Sequence, residues 1–186
     1  MLKEPRAGRV KTRLGREIGM VPAAWWFRHQ SRRLIRRLRD RRWHLHLAVA
    51  PDRALFSRVW PAHLPRLPQG RGDLGDRMGR ILRGFPAGPV VIVGGDIPGI
   101  TAPHIESAFR ALGRHDAVFG PATDGGYWLI GVKRAAALPR GLFRGVRWSS
   151  PTALADTLAG LPGARIALID ELSDVDTAAD LDALSG

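Results

Sequence analysis

The chain has 186 residues and no cysteine, so it can bury one core but holds neither a disulfide framework nor a thiolate metal site. No apolar run approaches the ~20 residues of a membrane-spanning helix, and the opening MLKEPRAGRV has no apolar signal region, so a cytoplasmic protein of one domain, residues 1–186, is expected. The formal charge of +12 invites a nucleic-acid reading, but only Lys3, Lys11 and Lys133 of the 29 basic residues are lysine. Such an arginine bias beside abundant Ala and Gly is what a GC-rich genome produces, so the placement of charge informs more than its sum.

Residues 4–16, EPRAGRVKTRLGR, read as a loop entering a helix. This is not a Walker A loop: only Gly8 precedes Lys11-Thr12, at the wrong spacing. Lys3, Arg6, Lys11 and Arg13 nevertheless crowd one glycine, a set suited to a di- or triphosphate or, equally, to a plain solvated loop. Residues 23–40 fit a helix, with Phe27, Leu34, Ile35 and Leu38 on one stripe and Arg28, Arg32, Arg36 and Arg39 on other faces. Residues 43–50, WHLHLAVA, alternate and predict a strand, with His44 and His46 on its surface face. A stretch with Pro61, Pro65 and Pro68 leads into QGRGDLGDRM. Its Gly-x-Gly does not follow a strand into a helix as a dinucleotide fingerprint requires. Leu74–Arg83 should be helical.

Val90–Val93 reads as a strand buried on both faces, as in a parallel sheet, and it runs through two glycines to Asp96. Asp96 is either a turn residue or a carboxylate held rigidly at a strand end, where hard divalent cations find oxygen ligands. Thr101 and Pro103 mark a helix start, and Gly113 its stop. AVFGP and YWLIGV are two further strands, joined by Asp124-Gly125-Gly126, which is turn chemistry. Tyr127 and Trp128 after that turn suit either the core or a stacking platform. SSPTALADTL starts a helix capped by Ser149 or Ser150, and RIALID is a short strand. DVDTAADLDAL is a capped helix; it gains interest if Asp174 or Asp176 faces Asp96 in space and the two share a cation.

Strands alternating with helices make an α/β layered sheet, and ligands of such sheets bind beyond the carboxyl ends of strands. Six segments then occur in a fixed order: K.P..G.VKTRL, QG.GDLG.RM, VVIVGGDIPGI, GPATDGGYWLIG, RWSS and DVDTAADL. Together they resemble the bacterial GT-A-fold, glycosyltransferase-like family of radical-SAM/selenodomain-associated transferases (DUF2064-type). More distantly they resemble molybdenum-cofactor and phospholactate guanylyltransferases. The resemblance spans nearly the whole chain. It implies a three-layer α/β/α nucleotide-diphospho-sugar transferase fold, Rossmann-like, with a mostly parallel sheet. It also implies that Gly8, Lys11 and Arg13 bind nucleotide phosphates, that Asp96 is a metal ligand with Asp176 the second, and that Asp124 borders the acceptor. Asp124 is then the candidate general base.

The expected cofactor is Mg²⁺ or Mn²⁺, and the expected partner a nucleotide sugar or nucleoside triphosphate with an acceptor left open. No membrane or nucleic-acid partner is needed. Relatives carry an apolar strand before the first Lys of the motif, whereas only Met1 and Leu2 precede Lys3. A truncated first strand and a gap in the sheet are therefore expected. Two rival readings remain: a nucleic-acid-binding protein using RRLIRRLRDRR, which predicts steep salt dependence, and a non-catalytic truncated relative.

Overall fold

The computed structural model describes residues 1–85, 87–133, 138–139 and 141–184. The chain divides into two compact units. The first holds Met1–Pro68, Gly95–Thr101 and the segment from Asp174 onward; the second holds Gln69–Gly94 and Ala102–Ser173. The fold is mixed α/β, and three of its five strand pairings are parallel.

In the first unit, β1 (Leu2–Lys3), β2 (Leu47–Ala50) and β3 (Arg66–Pro68) form a parallel sheet in the order β1-β2-β3. The helices are α1 (Thr12–Ile18), α2 (Met20–Arg37) and α6 (Ala178–Ala183). The stripe expected on α2 is real: Phe27, Leu34, Ile35 and the following Leu38 are buried. β2 departs from the alternating strand that WHLHLAVA predicts, because it spans only Leu47–Ala50 and all four of its residues are buried. It is the central strand of this parallel sheet, and burial of successive residues, whose side chains point to opposite sides, means that both of its faces are covered. Trp43 and the two histidines precede the ladder, where the Trp43 indole donates to the Leu38 carbonyl. The Pro-rich segment hides β3. There the Arg66 guanidinium donates to the carbonyls of Leu55, Ser57, Trp60 and Pro61, satisfying a loop that proline leaves short of backbone donors. Leu2, Ile35, Leu47, Val49, Ala54 and Trp60 make one apolar cluster beside this sheet, each large side chain contributing ~1.5–3 kcal/mol by burial.

In the second unit, β4 (Val90–Val93), β5 (Ala117–Pro121), β6 (Tyr127–Val132) and β7 (Ile166–Leu168) form a sheet in the order β4-β6-β5-β7. The helices are α3 (Leu74–Arg83), α4 (Ala102–Leu112) and α5 (Ala153–Ala159). Asp73 and Asp76 form a reciprocal capping box at the start of α3. The parallel, doubly buried setting expected for β4 is not found. β4 pairs antiparallel with β6, and only Ile92 of its four residues is fully buried. The apolar run reflects strand propensity at the end of a sheet, where coverage is partial. Trp128 is core: its indole donates to the Asp170 carbonyl at 3.0 Å, and a Cβ on Gly120 would sit 2.3 Å from its ring.

α5 begins later than its serines suggest, at Ala153, and its capping position is Thr152, which makes no side-chain cap bond. The Ser150 hydroxyl instead donates to the Arg147 carbonyl at 2.6 Å, serving the preceding turn. Among the described residues, no helix is long and apolar enough to cross a membrane.

Candidate nucleotide and metal site

Five of the residues singled out in the sequence, Lys11, Arg13, Asp96, Asp174 and Asp176, meet in the first unit. Lys11 precedes α1 in a left-handed conformation, φ 44° and ψ 50°. This is an uncommon region for a non-glycine residue. One turn into α1, Leu14 is fully buried against Ala23 and Val175. That contact joins the amino-terminal loop to the segment before α6. Val175 goes into the core while its two neighbours, Asp174 and Asp176, reach Lys11. α6 is held by a second capping box: Thr177 accepts from the Asp180 amide, and the Asp180 carboxylate accepts from the amides of Asp176 and Thr177. The Glu17 carboxylate of α1 accepts the Ala178 amide at 2.8 Å. The backbone at Asp176 is thus fixed from both sides.

Asp96 arrives on a separate segment. A Cβ on Gly95 would fall 2.3 Å from the Leu2 side chain and 2.9 Å from the Met1 carbonyl, so glycine is what lets this turn pass the first strand. Arg37 donates to the carbonyls of Pro98 and Ile100, at 2.6 and 3.1 Å, and steadies the loop that carries Asp96.

The three carboxylates converge on one ammonium. Lys11 Nζ lies 3.2 Å from Asp96 Oδ2, 3.3 Å from Asp174 Oδ2 and 2.9 Å from Asp176 Oδ1. Arg13 Nη1 reaches Asp176 Oδ2 at 3.1 Å. The Lys11 side chain is only 5% exposed, whereas the Asp96 side chain is 44% exposed. Burial pushes the Lys11 ammonium down, but the carboxylates, Asp96 foremost, outweigh it and leave its pKa raised. Burial also pushes Asp174 up, and Asp176 and Asp96 add to this; Lys11 opposes them without reversing the shift. In Asp176 the effect of burial loses to Lys11 and Arg13, and its pKa is lowered.

Three acids therefore face the Lys11 ammonium and the Arg13 guanidinium, and the buried Met1 amino group also interacts with Asp96. The donor set is hard oxygen, which suits Mg²⁺ or Mn²⁺ when phosphate oxygens complete the shell. The ammonium already at its centre is a stand-in cation that fits this chemistry. Among the described residues, no group of three or more His, Cys, Asp or Glu side chains is arranged to hold a metal ion as it stands, the carboxylates gathered on Lys11 included.

The remaining residues are placed less centrally. Gly8 adopts φ 71° with no atom within 4 Å of a hypothetical Cβ, leaving open space at the loop. Arg6 is paired with Glu4 at 2.6 Å. Asp124 lies in the second unit, where its Oδ1 accepts the Gly126 amide at 2.9 Å and closes its own turn. Gly125 is required there, since a Cβ would come within 2.2 Å of the Pro151 carbonyl oxygen. Asp174 completes the carboxylate set, and its signal in the sequence was the Asp-x-Asp spacing with Asp176. Asp180 sits beyond any motif logic except the cap.

These observations define a nucleotide-diphospho-sugar transferase fold carrying a lysine-centred carboxylate cluster. A crystal structure of a "putative nucleotide-diphospho-sugar transferase" from Desulfovibrio desulfuricans G20 shares the fold with a TM-score of 0.84 and 29% identity, over 98% of this chain and 83% of that one. The chain belongs to the bacterial family described as "Uncharacterized protein conserved in bacteria (DUF2064)", whose model matches residues 34–150. A Mycobacterium sp. strain JC1 homologue of a Mycobacterium tuberculosis protein shares the fold more loosely, with a TM-score of 0.54 and 20% identity over 85% of this chain and 80% of that one. No curated protein matches the chain. The family match contains Asp96 and Asp124, while Lys11, Arg13, Asp174 and Asp176 lie outside it.

Proposed function

We propose that the protein is a metal-dependent transferase acting on a nucleotide-activated donor. The observation that carries this reading is the meeting of Lys11 and Arg13, from the start of α1, with carboxylates from two distant segments. Similarity to the Desulfovibrio structure supports the same class of donor. In this reading Asp96 and Asp176 hold Mg²⁺ or Mn²⁺. When bound, the ion neutralises charge on the donor phosphates. Lys11 and Arg13 bind those phosphates and stabilise negative charge as it grows on the leaving group. Gly8 leaves the loop open for close approach of the donor. Asp124 is assigned the role of base toward the acceptor hydroxyl.

Two reactions satisfy this arrangement. An acceptor oxygen attacking the anomeric carbon of a nucleotide sugar breaks the bond to the β-phosphate and releases a nucleoside diphosphate. The same oxygen attacking the α-phosphorus of a nucleoside triphosphate releases pyrophosphate. The deciding experiment incubates the full chain with Mn²⁺, a panel of nucleoside triphosphates and nucleotide sugars, and candidate acceptors. Release of nucleoside diphosphate that depends on the acceptor identifies glycosyl transfer, and release of pyrophosphate identifies nucleotidyl transfer. Consumption of no donor contradicts the proposal.

A further inference from the structure

The cluster around Lys11 is complete without any added ion, and that has a consequence for how a metal and a phosphate enter. One ammonium pairs with three carboxylates, donating hydrogen bonds to Asp174 and Asp176, and is almost wholly removed from solvent. A divalent cation shared by Asp96 and Asp176 would compete with that ammonium for the same oxygens, and two cations in contact repel. The one-residue lead of Lys11 into α1, in a left-handed backbone, sets the ammonium among acids when the sequence would assign it to phosphate.

We propose that Lys11 is a built-in counter-cation with two alternative partners. Without a donor it neutralises Asp96, Asp174 and Asp176 and keeps a divalent cation from binding tightly. With a donor it moves to the phosphates, and the carboxylates it leaves accept the metal. This rests on the reading of the site as a metal and phosphate site. It adds that metal and donor bind cooperatively, each raising the affinity of the other by the same factor. Lys11 is thus a positioning residue for the metal as well as a phosphate ligand.

The test uses Mn²⁺ alone, followed by calorimetry and by the paramagnetic resonance of the free ion, on the full-length wild type, Lys11→Met and Lys11→Gln. Removing the ammonium should tighten Mn²⁺ binding about tenfold or more in both variants, the scale of an ordinary coupling between sites. Mn²⁺ should raise the melting temperature of both variants more than that of the wild type, which keeps the test readable if a variant folds poorly without metal. Adding Asp96→Asn to Lys11→Met should remove the gained affinity.

Equal or weaker Mn²⁺ binding in both single variants overturns the proposal, as does a gain that survives Asp96→Asn. The counter-cation and the assigned reaction are separable by experiment. Donor turnover by the wild type with no gain of Mn²⁺ affinity in the variants refutes only the counter-cation. A gain of Mn²⁺ affinity with no donor consumed refutes only the assigned reaction.

Discussion

Two charged clusters, one in each unit, use similar chemistry to different ends. In the second unit Asp156 accepts three bonds from Arg147, from its amide, Nε and Nη2, at 3.0, 3.0 and 2.8 Å, and one from the Thr152 hydroxyl at 3.2 Å. One acid meets one base, every bond serves the turn into α5, and no charge is left over. In the first unit Lys11 and Arg13 face three acids, one of whose pKa values is raised while another is lowered. Balanced pairs fasten structure. A cluster of several acids around one buried cation, with its pKa values pushed apart, is the arrangement expected where a ligand binds.

Single substitutions separate the two clusters. The largest effect should come from the support beneath the Lys11 cluster. Leu14→Ala removes a fully buried side chain and should cost ~2–5 kcal/mol in chemical denaturation. Because Leu14 ties Lys11 and Arg13 to the Asp174–Asp176 segment, nucleotide affinity should fall with it; a loss of stability without a loss of binding would separate the two. Next, Asp176→Asn should weaken Mn²⁺ affinity in the presence of nucleotide by about 10-fold or more, since losing a ligand costs at least what losing a ligand's hydrogen-bonded support costs. If the cluster were only a structural fastener, this change would move the melting temperature and leave metal affinity alone.

The smallest effect belongs to the balanced pair. Asp156→Asn should lower the melting temperature at neutral pH without touching nucleotide binding. Arg147 holds the Asp156 carboxyl well below the usual carboxylate range in the folded protein. Its contribution is therefore present above the ordinary carboxylate pKa and is lost as pH falls toward the folded value. The difference between wild type and variant should shrink on acidification, and a difference that grows would reverse the assignment.

Elements bounded by their own punctuation were legible in the chain. Leu74–Arg83 follows an Asp cap, Val90–Val93 ends on two glycines, and the strands on either side of Asp124 are separated by a turn that needs Gly125. Elements governed by neighbours were not. β2 is shorter than its alternation because its ladder partners, Leu2–Lys3 on one side and Arg66–Pro68 on the other, together meet only Leu47–Ala50, and β3 forms in spite of its prolines because Arg66 satisfies the loop before it. β4 looks like a parallel core strand but pairs antiparallel with β6.

The site divides the same way. A strand end made Asp96 a candidate, and the spacing of Asp174 and Asp176 marked them. The closing of Lys11 onto them spans 163 and 165 residues and depends on Leu14 and Val175 packing, which no local pattern reveals. That the ammonium would sit among carboxylates was not readable from a basic loop.

Whether Asp96 anchors a metal against the phosphates of a nucleotide donor is decided by calorimetry of nucleotide-sugar and nucleoside-triphosphate binding. The titrations are made with and without Mn²⁺, on the wild type and on Asp96→Ala. Binding to the wild type should strengthen with Mn²⁺, and Asp96→Ala should abolish that dependence. Identical binding by the two proteins, with metal and without it, would contradict the account.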